Sequence, residues 1–381
     1  MAERTIAIDA FGSDRCPEVE IEAAVLAARA GHRILLVGDE ARLHRGLARF
    51  DNLSALPLEI RHAPAVITME DSPGKAIRAK PDASMPTCFE LVRRGEAAAV
   101  VSAGNSGAML ACGLFKFGRI KGVDRPAIVS SIPGPDGACV LLDMGANVEC
   151  RPLNLVQFAV MGATFAAVTN GRSSPVVGLL ANGAEEGKGT ELTRAAHRLL
   201  RDHPSPAFTY RGYVEGSDLF SGELDVVVTD GFTGNIALKA IEATARALIG
   251  IVRQEVEGRR LSQLGALLMR PSLSAIKRRM DPDNYGGAPL LGVDGIAIIC
   301  HGGSTPRALV SAIDVAASYV DRDLTPGLRE AVRAHRELFA AAKADAAKID
   351  AAKIDASGAD ASATPGKTDD APSGQGAGES T

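Results

Sequence analysis

The feature that most constrains this chain is a unit repeated along it: a short, almost continuously apolar run ends in a polar, glycine-rich turn, and the turn opens a helix. Thr5 to Asp9 (TIAID) leads through such a turn into a helical stretch from Pro17 to Ala30. Arg33 to Gly38 precedes a charged helical stretch from Glu40 to Phe50, and Leu58 to Ala63 is a third run. Ala97 to Ala103 feeds a helix through Phe115. Ala127 to Pro133 and Ala138 to Gly145 flank the turn Gly134-Pro135-Asp136-Gly137 as a strand pair, ahead of a helix from Leu153 to Val168. Val176 to Leu180, Asp225 to Thr229 and Gly295 to Cys300 complete the series. Strands apolar on both faces must be covered on both faces, and crossover helices do the covering. The pattern therefore predicts an α/β fold, a Rossmann-like, mainly parallel sheet with helices on both sides, over residues 1–339.

Composition narrows the function. Of 381 residues none is Trp and only 4% are aromatic, which leaves little with which to stack single-stranded nucleic acid. A formal charge of -4 argues against a nucleic-acid partner, whose phosphate backbone asks for a basic face. No run of 18 apolar residues is present, and charged residues from Glu3 to Arg15 do not suit a secretory leader. Six scattered cysteines with no CxxC pair read as small buried hydrophobes, and no metal-ligand spacing occurs. The expectation is a cytoplasmic protein with neither metal nor cofactor.

Two segments depart from the repeat. Residues 255–280 read as a basic, amphipathic helical hairpin divided by Pro271. Leu261, Leu264, Leu267, Leu268, Leu273, Ile276 and Met280 alternate there with Arg259, Arg260, Arg270, Lys277, Arg278 and Arg279. Packing within the protein or a dimer is one use for such a face; reversible contact with an anionic lipid surface is the other. Residues 340–381 are rich in Ala, Asp, Lys, Ser and Gly; the first of them extend the preceding helix, and disorder is expected from about 357.

Four strand ends run into turns suited to an anion: Asp9 to Asp14, Ser102 to Gly107, Thr229 to Asn235, and His301 to Thr305. The carboxyl ends of parallel strands share one edge, glycines admit close backbone approach, and helix starts favour negative charge. Each turn alone is also an ordinary helix cap; their recurrence makes the case. Gly183 to Thr190 falls one residue short of a P-loop, no GxGxxG follows the first strand, and GNSG at Gly104 is not a nucleophile elbow. Anion loops without a covalent nucleophile suggest that the anion itself reacts.

The strings IDAFGSD, VSAGNSGA, DMGANVECRPLNLVQFAVMG, EEGKG, VVVTDGFTGNIALK and YGGAPLLGVDGIAIICHGGS, in this order, resemble the phosphate acyltransferase (PlsX) family. The resemblance implies that inorganic phosphate attacks the thioester of a fatty acyl chain on acyl carrier protein, giving acyl phosphate for phospholipid synthesis. It also implies a homodimer, a fold related to the isopropylmalate and isocitrate dehydrogenases, and loose attachment to the inner face of the cytoplasmic membrane. Two loops depart from the family pattern: Phe11 and Ser13 stand in a loop that usually reads DAMGGD, and Ala181 to Ala184 replace most of NIGEE, leaving Asn182 to supply the amide.

On that reaction, phosphate is assigned to Ser102, Gly104, Asn105, Ser106 and Gly107. Lys188 offsets charge on phosphate or the developing oxyanion, and Asn235 donates an amide N–H to the oxyanion. His301 protonates the departing thiolate, and Asp230 orients a donor. Arg259, Arg260, Arg270, Lys277, Arg278 and Arg279 are assigned with Leu264, Leu267 and Leu268 to an acidic carrier protein or to lipid. The competing expectations are a nicotinamide-dependent decarboxylating dehydrogenase and a non-catalytic carrier-binding scaffold. Deletion after Ala356 is expected to leave turnover unchanged; loss of turnover in that truncation contradicts the assignment of the tail.

Overall fold

The computed structural model describes residues 4–135, 137–280 and 286–345, with the backbone alone for residues 277, 279 and 280. The segment expected to be disordered from about 357 lies outside the described residues.

The apolar runs become β1 (Thr5–Asp9), β2 (Arg33–Gly38), β3 (Leu58–His62), β4 (Ala99–Ser102), β5 (Ala127–Gly134), β6 (Gly137–Leu142), β7 (Val176–Leu180), β8 (Thr209–Val214), β9 (Val226–Val228), β10 (Ala288–Leu291) and β11 (Ile296–Ile299). Between them lie α1 (Glu18–Arg29), α2 (Glu40–Leu47), α3 (Pro73–Ala79), α4 (Ser84–Arg93), α5 (Ser106–Cys112), α6 (Pro152–Asn170), α7 (Glu191–Asp202), α8 (Gly231–Glu257), α9 (Arg260–Leu268), α10 (Arg270–Met280), α11 (Pro306–Asp321) and α12 (Leu324–Ala334). Among the described residues these strands form one sheet of order β3-β2-β1-β4-β11-β10-β5-β6-β9-β7-β8. Ile6, Ile8, Val100 and Val101 are buried in its centre, as strands covered on both faces require.

The sheet is mostly parallel, but its two parallel groups run in opposite directions. β3, β2, β1, β4 and β11 pair in parallel, and so do β6, β9, β7 and β8. Between the groups, β10 is antiparallel to β11 and to β5, and β5 is antiparallel to β6. Three reversals leave the second group pointing against the first. The expectation that all four turns share one strand edge is therefore corrected: those after β1, β4 and β11 share one edge, while that after β9 belongs to the other. The source of the error is β10. A four-residue run containing Pro289 does not announce itself as an interior strand.

The centre of the second group rests on α6. Its residues Leu155, Val156, Phe158, Met161 and Phe165 are buried. A Cβ on Gly162 would stand 2.7 Å from Val226 and 2.8 Å from Leu142, so only glycine allows the helix this close to β6 and β9. α6 is apolar and long enough to cross a bilayer, yet 72% of that window is buried within the fold, which makes it a core helix. A helix also runs over 336–345, where Leu338, Phe339 and Ala342 are buried, so folded chain extends past residue 339.

The basic segment takes a form slightly different from the expected one. α8 runs to Glu257, and two short helices follow that meet at Met269; α9 packs on α8 and α10. Pro271 sits in the first turn of α10 rather than at the break, where its missing N–H has no helical partner to lose.

Candidate active site

At the first edge, the loop after β1 and the loop after β4 touch through their backbones: a Cβ on Gly12 would lie 2.6 Å from the Gly104 nitrogen. Both are tied from below by buried acids. Asp9 Oδ2 accepts the Ser102 hydroxyl at 2.7 Å, and Ser102 Oγ accepts the Gly104 N–H at 3.0 Å. Glu20, on α1, accepts the Ser13 N–H at 2.8 Å. Burial pushes the Asp9 carboxyl above the usual range, against the pull of Ser84, Ser102 and the Phe11 N–H. Burial likewise raises Glu20 to about 7, opposed by Ser13. The ring of Phe11 fills the space a side chain on Gly38 would need, with the Arg42 guanidinium 4.5 Å from its centroid, so the departure at residue 11 is matched locally.

This geometry corrects part of the predicted phosphate site. The Ser102 hydroxyl and the Gly104 N–H are already spent, and both residues are buried. Asn105 is committed as well. Its Oδ1 caps Ala108 N at 3.1 Å, and its Nδ2 donates to the carbonyls of Thr68, Met69 and Asp71. Ser106 is exposed and Gly107 partly so, and the amides that open a helix have no acceptor within it. Beside them lies the loop after β11, joined by the Cys300 N–H to Ser102 carbonyl bond at 2.8 Å and the Asp14 N–H to Gly302 carbonyl bond at 2.9 Å. His301 is exposed, and its Nδ1 accepts the Gly303 N–H at 3.0 Å, which leaves Nε2 as the N–H of the neutral ring.

The second edge is built on Asp143, a residue the sequence reading assigned no role. Its two oxygens accept the N–H groups of Ile128, Gly145, Ala146 and Asn147 and the Asn147 side-chain amide, at 2.7–3.3 Å. Burial raises this carboxyl above the usual range, with those donors pulling the other way. Asn147 in turn accepts the Gly231 N–H at 2.8 Å, which fastens this loop to the start of α8. Asp230 is the α8 cap: its oxygens take the Thr233 N–H at 2.9 Å and the Thr233 hydroxyl at 2.7 Å. The donors it orients are the Thr233 N–H and hydroxyl, in the first turn of α8. Asn235 does not cap. It is exposed in the second turn, 3.7 Å from the position of a Cβ on Gly145, with no hydrogen-bond partner for its side chain among the described residues.

Lys188 lies on the same edge, after β7. Its N–H donates to the Glu185 carbonyl at 3.0 Å, and its stem crosses Gly183, where a Cβ would meet it at 2.9 Å. Asn182 Oδ1 accepts the Gly189 N–H at 2.9 Å, so this asparagine closes the loop. The Lys188 side chain is exposed and, among the described residues, pairs with no acid. Within one chain, no described hydrogen bond or ion pair joins this edge to the Asp9, Ser102 and His301 group. Among the described residues, no three His, Cys, Asp or Glu side chains converge as metal ligands would.

The family described as fatty acid synthesis protein matches residues 4–326. The chain is 49% identical over 330 residues to the phosphate acyltransferase of Syntrophotalea carbinolica, covering 86% of this chain and 94% of that protein. It belongs to the phosphate acyltransferase family. The enzyme of Geobacter sulfurreducens is 45% identical over 343 residues, covering 89% and 98%. Solved structures of a phosphotransacetylase from Streptococcus pyogenes (TM-score 0.54, 15% identity, 84% and 94% covered) and of the EutD phosphotransacetylase from Staphylococcus aureus (0.52, 16%, 83% and 94%) share the fold. As a phosphate acyltransferase the chain is an enzyme that transfers an acyl group to phosphate, and the dehydrogenase and scaffold alternatives give way.

The buried acids of this phosphate acyltransferase carry a pH signature. The folded state holds the Glu20 proton up to about 7, against an ordinary value of 4.5, so it binds more protons than the unfolded chain in that interval. The protonated form is compatible with burial; ionisation between these values costs stability, about 3 kcal/mol at completion. Glu20→Gln is expected to remove that loss. Its stability relative to wild type should rise as pH goes from about 4.5 to 7 and level off above; a difference constant across that window, from urea melts, contradicts it.

Proposed function

We propose that this enzyme forms acyl phosphate from inorganic phosphate and the thioester of a fatty acyl chain on acyl carrier protein, for phospholipid synthesis. The observation that carries this reading is the direction in which the acids point. Asp9, Asp143 and Asp230 turn both oxygens, and Glu20 one of its two, onto N–H groups or hydroxyls, leaving the Lys188 ammonium, the Asn235 amide and the His301 imidazole outward. Such a surface accepts an anion. Phosphate sits at the amides of residues 105–107, with Ser106 and Gly107 as ligands and Ser102, Gly104 and the Asn105 side chain holding the loop.

For this reaction the two edges must reach a common cleft, and the twist of the sheet favours it. Neighbouring strands rotate by roughly 20–25°, so the five steps from β4 to β9 turn the second group by about 100–125° from flat antiparallel. The carboxyl ends then diverge by an acute angle instead of facing apart. Phosphate on the first edge is approached by Lys188 and Asn235 from the second.

The proton balance is simple. A phosphate oxygen bonds to the thioester carbon, the tetrahedral oxyanion collapses, and the C–S bond breaks. The monohydrogen dianion brings one proton, which passes to the leaving thiolate, so acyl phosphate dianion and free thiol result. The His301 Nε2–H therefore serves best by donating a hydrogen bond to the departing sulfur. Asn235 and Lys188 stabilise the oxyanion, a contribution of about 3–4 kcal/mol for one well-placed donor.

Residues 1–339 are read as the catalytic unit, on a fold of the isopropylmalate and isocitrate dehydrogenase kind. The exposed leucines of α9 (Leu264 57%, Leu267 63%, Leu268 77%), bordered by Arg259, Arg260, Arg270 and Arg278, suit reversible contact with anionic lipid or an acidic carrier protein. This supports a cytoplasmic enzyme peripherally bound to the inner membrane face. The exposed flank of α8 (Leu248, Ile251, Val252) is the surface offered to a second copy in a homodimer. The proposed contacts of Lys277 and Arg279 fall on side chains outside those described.

Purified protein supplied with acyl carrier protein thioester and phosphate should release thiol and acyl phosphate one for one. Lys188→Ala and Asn235→Ala should each lower turnover at least tenfold with unchanged circular dichroism; wild-type rates in both contradict the assignment.

A further inference from the structure

Asp9 takes no step in the reaction above, yet it is costly to keep. A carboxylate at the end of a strand flanked by β2 and β4, and 2% exposed, must be repaid by what it binds. Ser84 of α4 stands beside Asp9, whose two oxygens reach both glycine loops. Oδ1 accepts the Phe11 N–H of its own loop at 3.3 Å. Oδ2 reaches across to β4 and accepts the Ser102 hydroxyl at 2.7 Å, which frees the Ser102 lone pair for the Gly104 N–H at 3.0 Å. There is no slack in this assembly: a Cβ on Gly104 would lie 3.2 Å from Ser102 Oγ and 3.4 Å from Asp9 Oδ2.

We propose that Asp9 is a positioning residue for phosphate capture, acting through the Ser102 hydroxyl to fix the peptide at Gly104 and so present the amides of residues 105–107 to the anion. The inference rests on the acceptor reading above and names a part of it that touches no substrate. A hydroxyl can rotate; a fixed carboxyl acceptor on one side of Ser102 sets where its hydrogen points and keeps its oxygen turned toward the Gly104 N–H. Without the carboxylate, the loop must be ordered when phosphate arrives, and weaker capture is the consequence.

The test uses the full chain as Asp9→Asn, Ser102→Ala and the double variant, with steady-state kinetics read separately for phosphate and for the acyl thioester. Each single change should raise KM for phosphate about tenfold and leave KM for the thioester within about twofold. The two act along one chain of hydrogen bonds, so the double variant should be no worse than the worse single one within about twofold. Multiplied losses in the double variant, an equal rise in both KM values, or an unchanged phosphate KM overturns the proposal. If Asp9→Asn does not fold, Ser102→Ala alone decides, since a normal phosphate KM there refutes the relay. A wild-type protein without phosphate-dependent thioester cleavage removes the acceptor reading instead, so the two failures are told apart.

Discussion

The structure depends on buried carboxylates that bind main-chain amides. At the first edge Asp9 and Glu20 hold the loops after β1 and β4; at the second, Asp143 gathers four backbone N–H groups and one side-chain amide. A glycine-rich turn is entropically expensive to keep in one shape, because each glycine has wide conformational freedom when released. A hydrogen bond to a charged acceptor contributes about 1.5–3 kcal/mol, and several onto one carboxyl offset part of its desolvation while fixing the loop. The outcome is a set of stiff loops whose negative charge faces inward.

That arrangement also explains how a chain of net charge -4 binds an anion. Asp9 and Asp143 are buried against the donors they hold, so their charge is kept from an outer surface that presents Lys188, Asn235, His301 and open amides. The sheet supplies the two sides. Its halves run oppositely, with the antiparallel pair β10 and β5 between them, so the loops after β1, β4 and β11 leave one edge and those after β6, β9 and β7 the other.

Much of this was legible in the sequence. Nine of the strands follow from apolar runs that no other structure tolerates, and the loops at Asp9, Ser102, Asp230 and His301 stand where strand-to-helix turns were expected. What escaped has physical causes. β8 (TYRGYV) interrupts its apolar pattern with Arg211 and Gly212, and β10 contains a proline; without β10 the reversal of direction is invisible. Asp143 and Glu20 lie inside otherwise apolar or helical stretches, and nothing local says that their carboxylates turn inward. The same holds for Ser102 and Asn105: residue type placed them at the anion loop, but only the geometry distinguishes a ligand from a group that holds the ligand's loop. Asp230, by contrast, follows a strand and precedes Thr233 by three, a pattern that already reads as a cap.

The most direct measurement is a titration of inorganic phosphate into uniformly nitrogen-15-labelled protein, followed by amide chemical shifts. Saturable shifts centred on residues 105–107 and 301–303, with smaller ones reaching Lys188 and Asn235, are the result this account predicts. Shifts that stay linear with phosphate, or that saturate elsewhere while those loops remain still, would contradict it.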